Sequence, residues 1–197
     1  MQVLLATTNK GKIKELEGLL HNEKIKILSL SDLQDYQEVE ETGTTFAENA
    51  FIKARAACAA GQMITLADDS GLEVDALAGA PGVFSARYAG EPKNDERNIE
   101  KLLADLEDVP EENRTARFRC ALAIVYPDGR EYLTEGAVEG RILTMRIGSG
   151  GFGYDPVFYL PSLQKTMAEL SPDEKNCLSH RAQAFAKAVP LLTTLLK

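Results

Sequence analysis

The chain has 197 residues, enough for one sizeable core, as one domain or one domain with two lobes. Thirty acidic against twenty-two basic residues leave a net charge of −8, which argues against a general binder of nucleic-acid polymers, whose affinity needs many Lys/Arg–phosphate contacts. No apolar run reaches the ~18 residues of a membrane span. Cys58, Cys120 and Cys177 form no CxxC pair and are accompanied only by His21 and His180, so neither a disulfide framework nor a zinc site is expected; the cysteines read as reduced and buried.

In chain order, "MQVLLATTNKGK" has no basic leader and reads as the first strand, Val3–Thr7, of a cytoplasmic protein. Ile13, Leu16, Leu19 and Leu20 repeat at helical spacing and predict a helix from Lys12 to about Leu20. Ile25–Leu30 is strand-like. Thr45 followed three residues later by Glu48 is a capping box that opens a helix, and Gly61 closes it. Met63–Ala67 predicts a buried strand that ends at Asp68 and Asp69. Ile99, Leu102, Leu103 and Leu106 mark a second amphipathic helix. "FRCALAIVY", Phe118 to Tyr126, predicts a strand, and "PDG" a hairpin into Glu131–Val138. Ser171 and Pro172 with Glu174 form another helix start. From Ser179 the pattern is helical to the end, broken or kinked at Pro190. Helices alternate with strands early and strands pair as hairpins later, which predicts an α/β fold with a mixed sheet.

Three stretches can carry chemistry. "TTNKGK" places backbone N–H groups at a helix start, a natural anion site. Lys10, Lys12 and Lys14 sit where the helix dipole disfavours cations by about 0.3–1 kcal/mol each, a penalty that a bound phosphate reverses. The loop is not a Walker motif, since GxxxxGK[ST] is absent. The second stretch is acidic: Glu38, Glu40 and Glu41, then Asp68 and Asp69. Adjacent carboxylates raise the cost of ionising each other, so a cation is expected between them and a phosphate. Magnesium fits, because it takes one or two carboxylates, waters and substrate phosphate oxygens. The third stretch, "GSGGFGYDP", has a formal GxGxxG at Gly148, Gly150 and Gly153. No helix follows, and "VFYL" continues as a strand, so the dinucleotide fingerprint is rejected. Its aromatic residues Phe152 and Tyr154 could each stack on a base. Lys175, His180 and Arg181 then gather cationic or polar groups around a helix start.

With these residues assembled, the chain resembles the XTP/dITP diphosphatases, or inosine triphosphate pyrophosphatases. The stretches "LATTNKGKIKEL", "EETGTTFAENAFIKARAA", "LADDSGLEVDALAGAPGVFSARYAG", "GGFGYDPVF" and "AELSPDEKNCLSHRAQA" carry the resemblance over nearly the whole length. It implies one pyrophosphatase domain over residues 1–197, an elongated two-lobed α/β fold with a central mixed sheet flanked by helices, a substrate cleft, and usually a homodimer. It also implies magnesium-dependent cleavage of ITP, dITP and XTP to monophosphate and pyrophosphate. By the same resemblance Thr7, Thr8, Asn9, Lys10, Gly11 and Lys12 form the phosphate loop, Glu41 and Asp69 hold magnesium, and Asp69 accepts a proton. Lys53, Ser70, Phe152, Gly153, Tyr154, Asp155, Lys175, His180 and Arg181 match substrate contacts. Two other readings are a nucleotide-binding sensor without turnover and a serine hydrolase using Ser70 and His180; the latter lacks the GxSxG elbow.

Overall fold

The computed structural model describes residues 2–20, 25–33 and 36–193. His21, the side chain of Lys10 and residues 194–197, over which the sequence pattern predicts helix, lie outside the described residues. The elements are β1 (Gln2–Leu5), α1 (Lys10–Leu20), β2 (Lys26–Ser29), α2 (Phe46–Gly61), β3 (Thr65–Val74), α3 (Asp95–Asp105), β4 (Thr115–Val125), β5 (Glu131–Ile142), β6 (Phe158–Leu160), β7 (Lys165–Thr166), α4 (Pro172–Leu178) and α5 (His180–Thr193). Among the described residues no helix is long and apolar enough to cross a membrane.

The helix starts are written locally. Thr45 Oγ1 accepts from Glu48 N at 3.1 Å while Glu48 Oε2 accepts from Thr45 N, a reciprocal box that satisfies two otherwise orphaned donors of α2. Asn94 caps α3, and Ser171 with Glu174 caps α4 with Pro172 in the first turn. Each such cap is worth about 1 kcal/mol. Helix α5 runs on through Pro190 to Thr193 instead of stopping there.

The strands form one mixed sheet in the order β2-β1-β3-β4-β5-β6-β7. β1 pairs in parallel with both β2 and β3, whereas β6 pairs antiparallel with β5 and β7. β4 and β5 are joined by a tight turn in which Tyr126 N donates to Arg130 O and Gly129 adopts φ 90°. β3 does not end at the double acid, as the sequence pattern predicts. It carries Asp68 and Asp69 in its interior and continues to Val74.

The chain divides into two compact units. The first comprises Met1–Asp69, Cys120–Gly136 and His180–Lys197; the second comprises Ser70–Arg119 and Ala137–Ser179. In the first unit both sheet faces are covered, with strict alternation. Val3, Leu5, Leu66, Cys120, Leu122 and Ile124 pack with Leu16 of α1 and Phe185 of α5. Leu4, Ala6, Ala67, Ala121, Ala123 and Val125 pack with Ala50, Ala54 and Ala57 of α2. Each fully buried leucine contributes about 1.5–3 kcal/mol.

The second unit buries one set of strand positions, including Leu72, Val74, Ala116, Phe118 and Val138, together with Ile99 and Leu102 of α3. The alternate positions are charged: Arg117 pairs with Asp75 at 2.9 Å and Glu139 at 3.1 Å. Such partly solvated pairs contribute at most about 1 kcal/mol each. Of the three thiols, Cys58 and Cys120 are buried, but Cys177 is exposed, contrary to the sequence expectation.

Candidate active site

The phosphate-loop sequence is organised by its own side chains. Asn9 Oδ1 accepts from the backbone N–H groups of Gly11 (2.9 Å) and Lys12 (3.2 Å), capping α1, and Thr7 Oγ1 accepts from Asn9 N. Thr8 Oγ1 donates to Glu38 Oε1 at 2.7 Å, tying the loop to the acidic segment.

Asp68 and Asp69 are neighbours on a strand, so their side chains leave opposite sheet faces. Asp68 follows Leu66 onto the α1/α5 face. There its Oδ2 meets Lys12 Nζ at 2.9 Å and Arg181 Nε at 3.3 Å, with the aspartate side chain fully buried. Asp69 follows Ala67 onto the α2 face and meets Lys53 Nζ at 3.1 Å and Asn49 Nδ2 at 3.3 Å. Lys53 lies one helical turn beyond Asn49. Its three ammonium protons have three acceptors close by: Asp69 Oδ1, Glu41 Oε1 at 2.9 Å and the Asp68 carbonyl at 2.9 Å. Gly43 N donates to Asn49 Oδ1, which turns the Asn49 amide toward Asp69.

The two acids therefore have different electrostatics. Burial alone would raise Asp68, but Lys12, Arg181 and Lys53 outweigh it and hold the carboxyl far below its ordinary range. For Asp69 burial dominates and Glu41 adds to it, so its carboxyl lies above the ordinary value despite Lys53 and Lys12. Burial opposes the Lys53 ammonium, yet Asp69, Asp68 and Glu41 push it upward. The mutual repulsion of Asp68 and Asp69 expected from sequence is thus not the governing term; the like charge that acts on Asp69 is Glu41. The Cys120 thiol near this set is pushed upward by burial and is inert as a nucleophile.

His180 and Arg181 open α5 and are buried, with 3% and 5% exposure. Their height on β5 is set by Gly136: a Cβ there would lie 2.1 Å from the His180 backbone oxygen and 2.8 Å from Ala184 N. Two residues earlier, Thr134 Oγ1 donates to Ala184 O at 2.9 Å. Arg181 Nη1 also meets Glu15 Oε2 at 3.0 Å.

The second unit holds the remaining sequence candidates. Ser70 continues β3 and is half-buried. Asp155 Oδ2 accepts from Phe152 N at 2.9 Å and from Lys175 Nζ at 2.7 Å, and that ammonium sits 4.8 Å from the Phe152 ring centre. Gly151 (φ 75°) is required here, because a Cβ would fall 2.0 Å from Asp155 Oδ2. Gly153 N donates to Asp95 Oδ2 at 2.8 Å. Tyr154 is a core residue, 5% exposed, whose hydroxyl donates to Ser85 O. Of the two rings read from sequence as possible stacking surfaces, Phe152 alone is only half-buried. Sequence reasoning missed Asn49 and Glu15. Each had a signal, lying one turn from Lys53 and Lys12 respectively on a helix already identified.

A dITP/XTP pyrophosphatase of Desulforamulus reducens is 54% identical over 195 residues, covering 99% of this chain and 97% of the relative. The solved structure of a HAM1 protein from Coxiella burnetii superposes with a TM-score of 0.90 at 43% identity, covering 98% of this chain and 99% of that one. The Staphylococcus aureus Ham1 protein gives a TM-score of 0.88 at 43% identity, with the same coverage. The Ham1 family model matches residues 3–191, and the chain belongs to the Ham1 family.

Proposed function

We propose that this chain is a dITP/XTP pyrophosphatase that hydrolyses non-standard purine nucleoside triphosphates (dITP, XTP and ITP) to the monophosphate and pyrophosphate. Family membership supports this, and the observation that carries it is the charge arrangement on β3: one carboxylate held ionised against Lys12 and Arg181, the other raised by burial beside Lys53 and Glu41. Residues 1–197 act as one pyrophosphatase domain, cytoplasmic and homodimeric.

In this reading Lys12 and the amides of the Thr7–Lys12 loop bind phosphate oxygens, and Asp68 orients Lys12. Asp69, whose carboxyl lies above its ordinary value, takes a proton from the water as its oxygen bonds to the α-phosphorus and the α–β phosphoanhydride breaks, the electron pair leaving with pyrophosphate. Lys53 holds Asp69 and Glu41 toward one point, and its charge offsets the phosphates. Among the described residues no three His, Cys, Asp or Glu groups gather around a common point. Two carboxylates converging on one ammonium nevertheless suit magnesium, which needs only one or two beside waters and phosphates. Glu41 and Asp69 would hold it, and when bound it supplies charge neutralisation for the triphosphate and the departing pyrophosphate.

Arg181 and backbone N–H groups are donors suited to the 6-oxo acceptor of hypoxanthine and xanthine. Adenine presents an amino donor at that position, and a buried donor–donor mismatch supports large discrimination. Ser70, Phe152, Gly153, Asp155, Lys175 and His180 are further nucleotide contacts, with Phe152 as the stacking ring and Tyr154 supporting that loop from the core.

The experiment is a panel of dITP, XTP, ITP, dATP and dGTP with magnesium, scored for pyrophosphate against orthophosphate. Pyrophosphate release confined largely to dITP, XTP and ITP is expected. Stepwise orthophosphate release, or dATP turned over as fast as dITP, overturns the reading, and ITP binding with no turnover would favour a sensor.

A further inference from the structure

Helix α1 presents Lys12 and Glu15 three residues apart, on one face. Their contacts close a ring of alternating charge: Lys12 to Asp68, Asp68 to Arg181, Arg181 to Glu15, and back along one turn of α1. The ring is neutral overall. The Arg181 and Glu15 side chains are only 6% and 13% exposed, so the pair is sheltered from the screening that weakens surface ion pairs. Within the ring, Asp68 Oδ2 is shared by two cations, Lys12 at 2.9 Å and Arg181 at 3.3 Å. A guanidinium offered a single carboxylate prefers to engage it with two nitrogens. Something must hold Arg181 back if Lys12 is to keep Asp68.

We propose that Glu15 is a positioning residue for substrate selection: by binding Nη1 of Arg181 it keeps the guanidinium from closing on Asp68, so that Arg181 is aimed at the purine 6-position while Asp68 orients Lys12. The aim at the purine rests on the function proposed above. The restraint on Arg181 rests on the ring geometry alone.

The test measures kcat/KM for dITP and dATP in the parent, Glu15→Ala, Glu15→Asp and Glu15→Gln. Each protein's melting temperature is recorded alongside. Glu15→Ala is expected to lower the dITP:dATP ratio about tenfold, the scale of one oriented charge-assisted hydrogen bond. Glu15→Asp keeps the charge but withdraws it by one methylene, and should behave like alanine; it also serves if the alanine variant does not fold. Glu15→Gln keeps an acceptor oxygen at the same reach and should recover most of the ratio. A purely structural role lowers both rates together, so a parent-like ratio in Glu15→Ala or Glu15→Asp overturns the inference. If the parent itself shows no preference for dITP, the proposed function fails, and solvent exchange of the Arg181 Nε proton, followed by NMR, judges the restraint. Slower exchange in Glu15→Ala than in the parent, as the guanidinium closes on Asp68, supports it, and equal or faster exchange overturns it.

Discussion

Replacing Lys12 by alanine removes the ammonium 2.9 Å from Asp68 Oδ2. From the helix dipole alone the change should be neutral or mildly stabilising, since a cation in the first turn costs about 0.3–1 kcal/mol. The structure reverses that sign. The Asp68 side chain is fully buried and that of Lys12 is 14% exposed, and removing one partner of a buried pair costs about 3–5 kcal/mol. Arg181 remains at 3.3 Å, Lys53 also acts on Asp68, and the carboxyl can take up a proton, so the expected loss is about 2 kcal/mol at pH 7.

The pH dependence identifies the cause. In the folded parent Asp68 is held below its unfolded value, near 3.9, so its contribution is complete above that pH and is lost as the pH falls through the folded value. The variant has a smaller contribution to lose. The gap between the two proteins should therefore be full at neutral pH and close as the solution becomes acidic. Urea midpoints and slopes at pH 7 and at steps below pH 4 measure it, with pyrophosphate release from dITP recorded in parallel. A variant as stable as the parent at pH 7 would refute the reasoning. So would a loss that persists undiminished in acid, which would assign the effect to packing of the lysine stem.

Asp69→Asn should lower turnover by ~10²–10⁴-fold, the scale of a lost general base. Because the folded carboxyl is raised, its ionisation destabilises the protein at neutral pH and that cost fades as pH falls; the metal-free variant should melt at or above the parent at pH 7, with the advantage shrinking in acid. Near-parent turnover removes Asp69 from the mechanism. Gly136→Ala drives a Cβ into the His180 carbonyl and should cost about 3 kcal/mol, with a fall in dITP turnover as α5 shifts; parent-like urea midpoints and rates would show that the close approach is not required. EDTA should abolish pyrophosphate release and added magnesium restore it, and undiminished turnover in EDTA would exclude Glu41 and Asp69 as a metal pair.

Much of the fold was legible because its signals are local. The Thr45/Glu48 and Ser171/Glu174 boxes act within one turn, and both helices begin where those residues stand. The end of β3 was misplaced because the apolar run stops at the two acids, whereas here each acid is satisfied by partners outside the strand and the strand runs on through them. In β4 the pattern changes from alternating Ala116, Arg117, Phe118 and Arg119 to a continuous apolar run from Cys120 to Val125. That change marks where the strand goes from one covered face to two, and where it passes from the second unit to the first.

By itself the sequence determined the capped helix starts, most of the strands and the inventory of charged groups. Their series was specific enough to indicate the family. The tertiary structure decided which charge meets which. Asp68 and Asp69 look like one acidic pair on paper, but strand geometry sends adjacent side chains to opposite faces, so each carboxylate makes its ion pairs with different side chains, Lys12 and Arg181 for one and Lys53 for the other. The partners come from far along the chain, Arg181 being 113 residues from Asp68. No local rule brings such groups within hydrogen-bond reach. Packing α1 and α5 on one face of the sheet and α2 on the other does, and this is what holds one carboxyl far below its ordinary range and leaves its neighbour's above it.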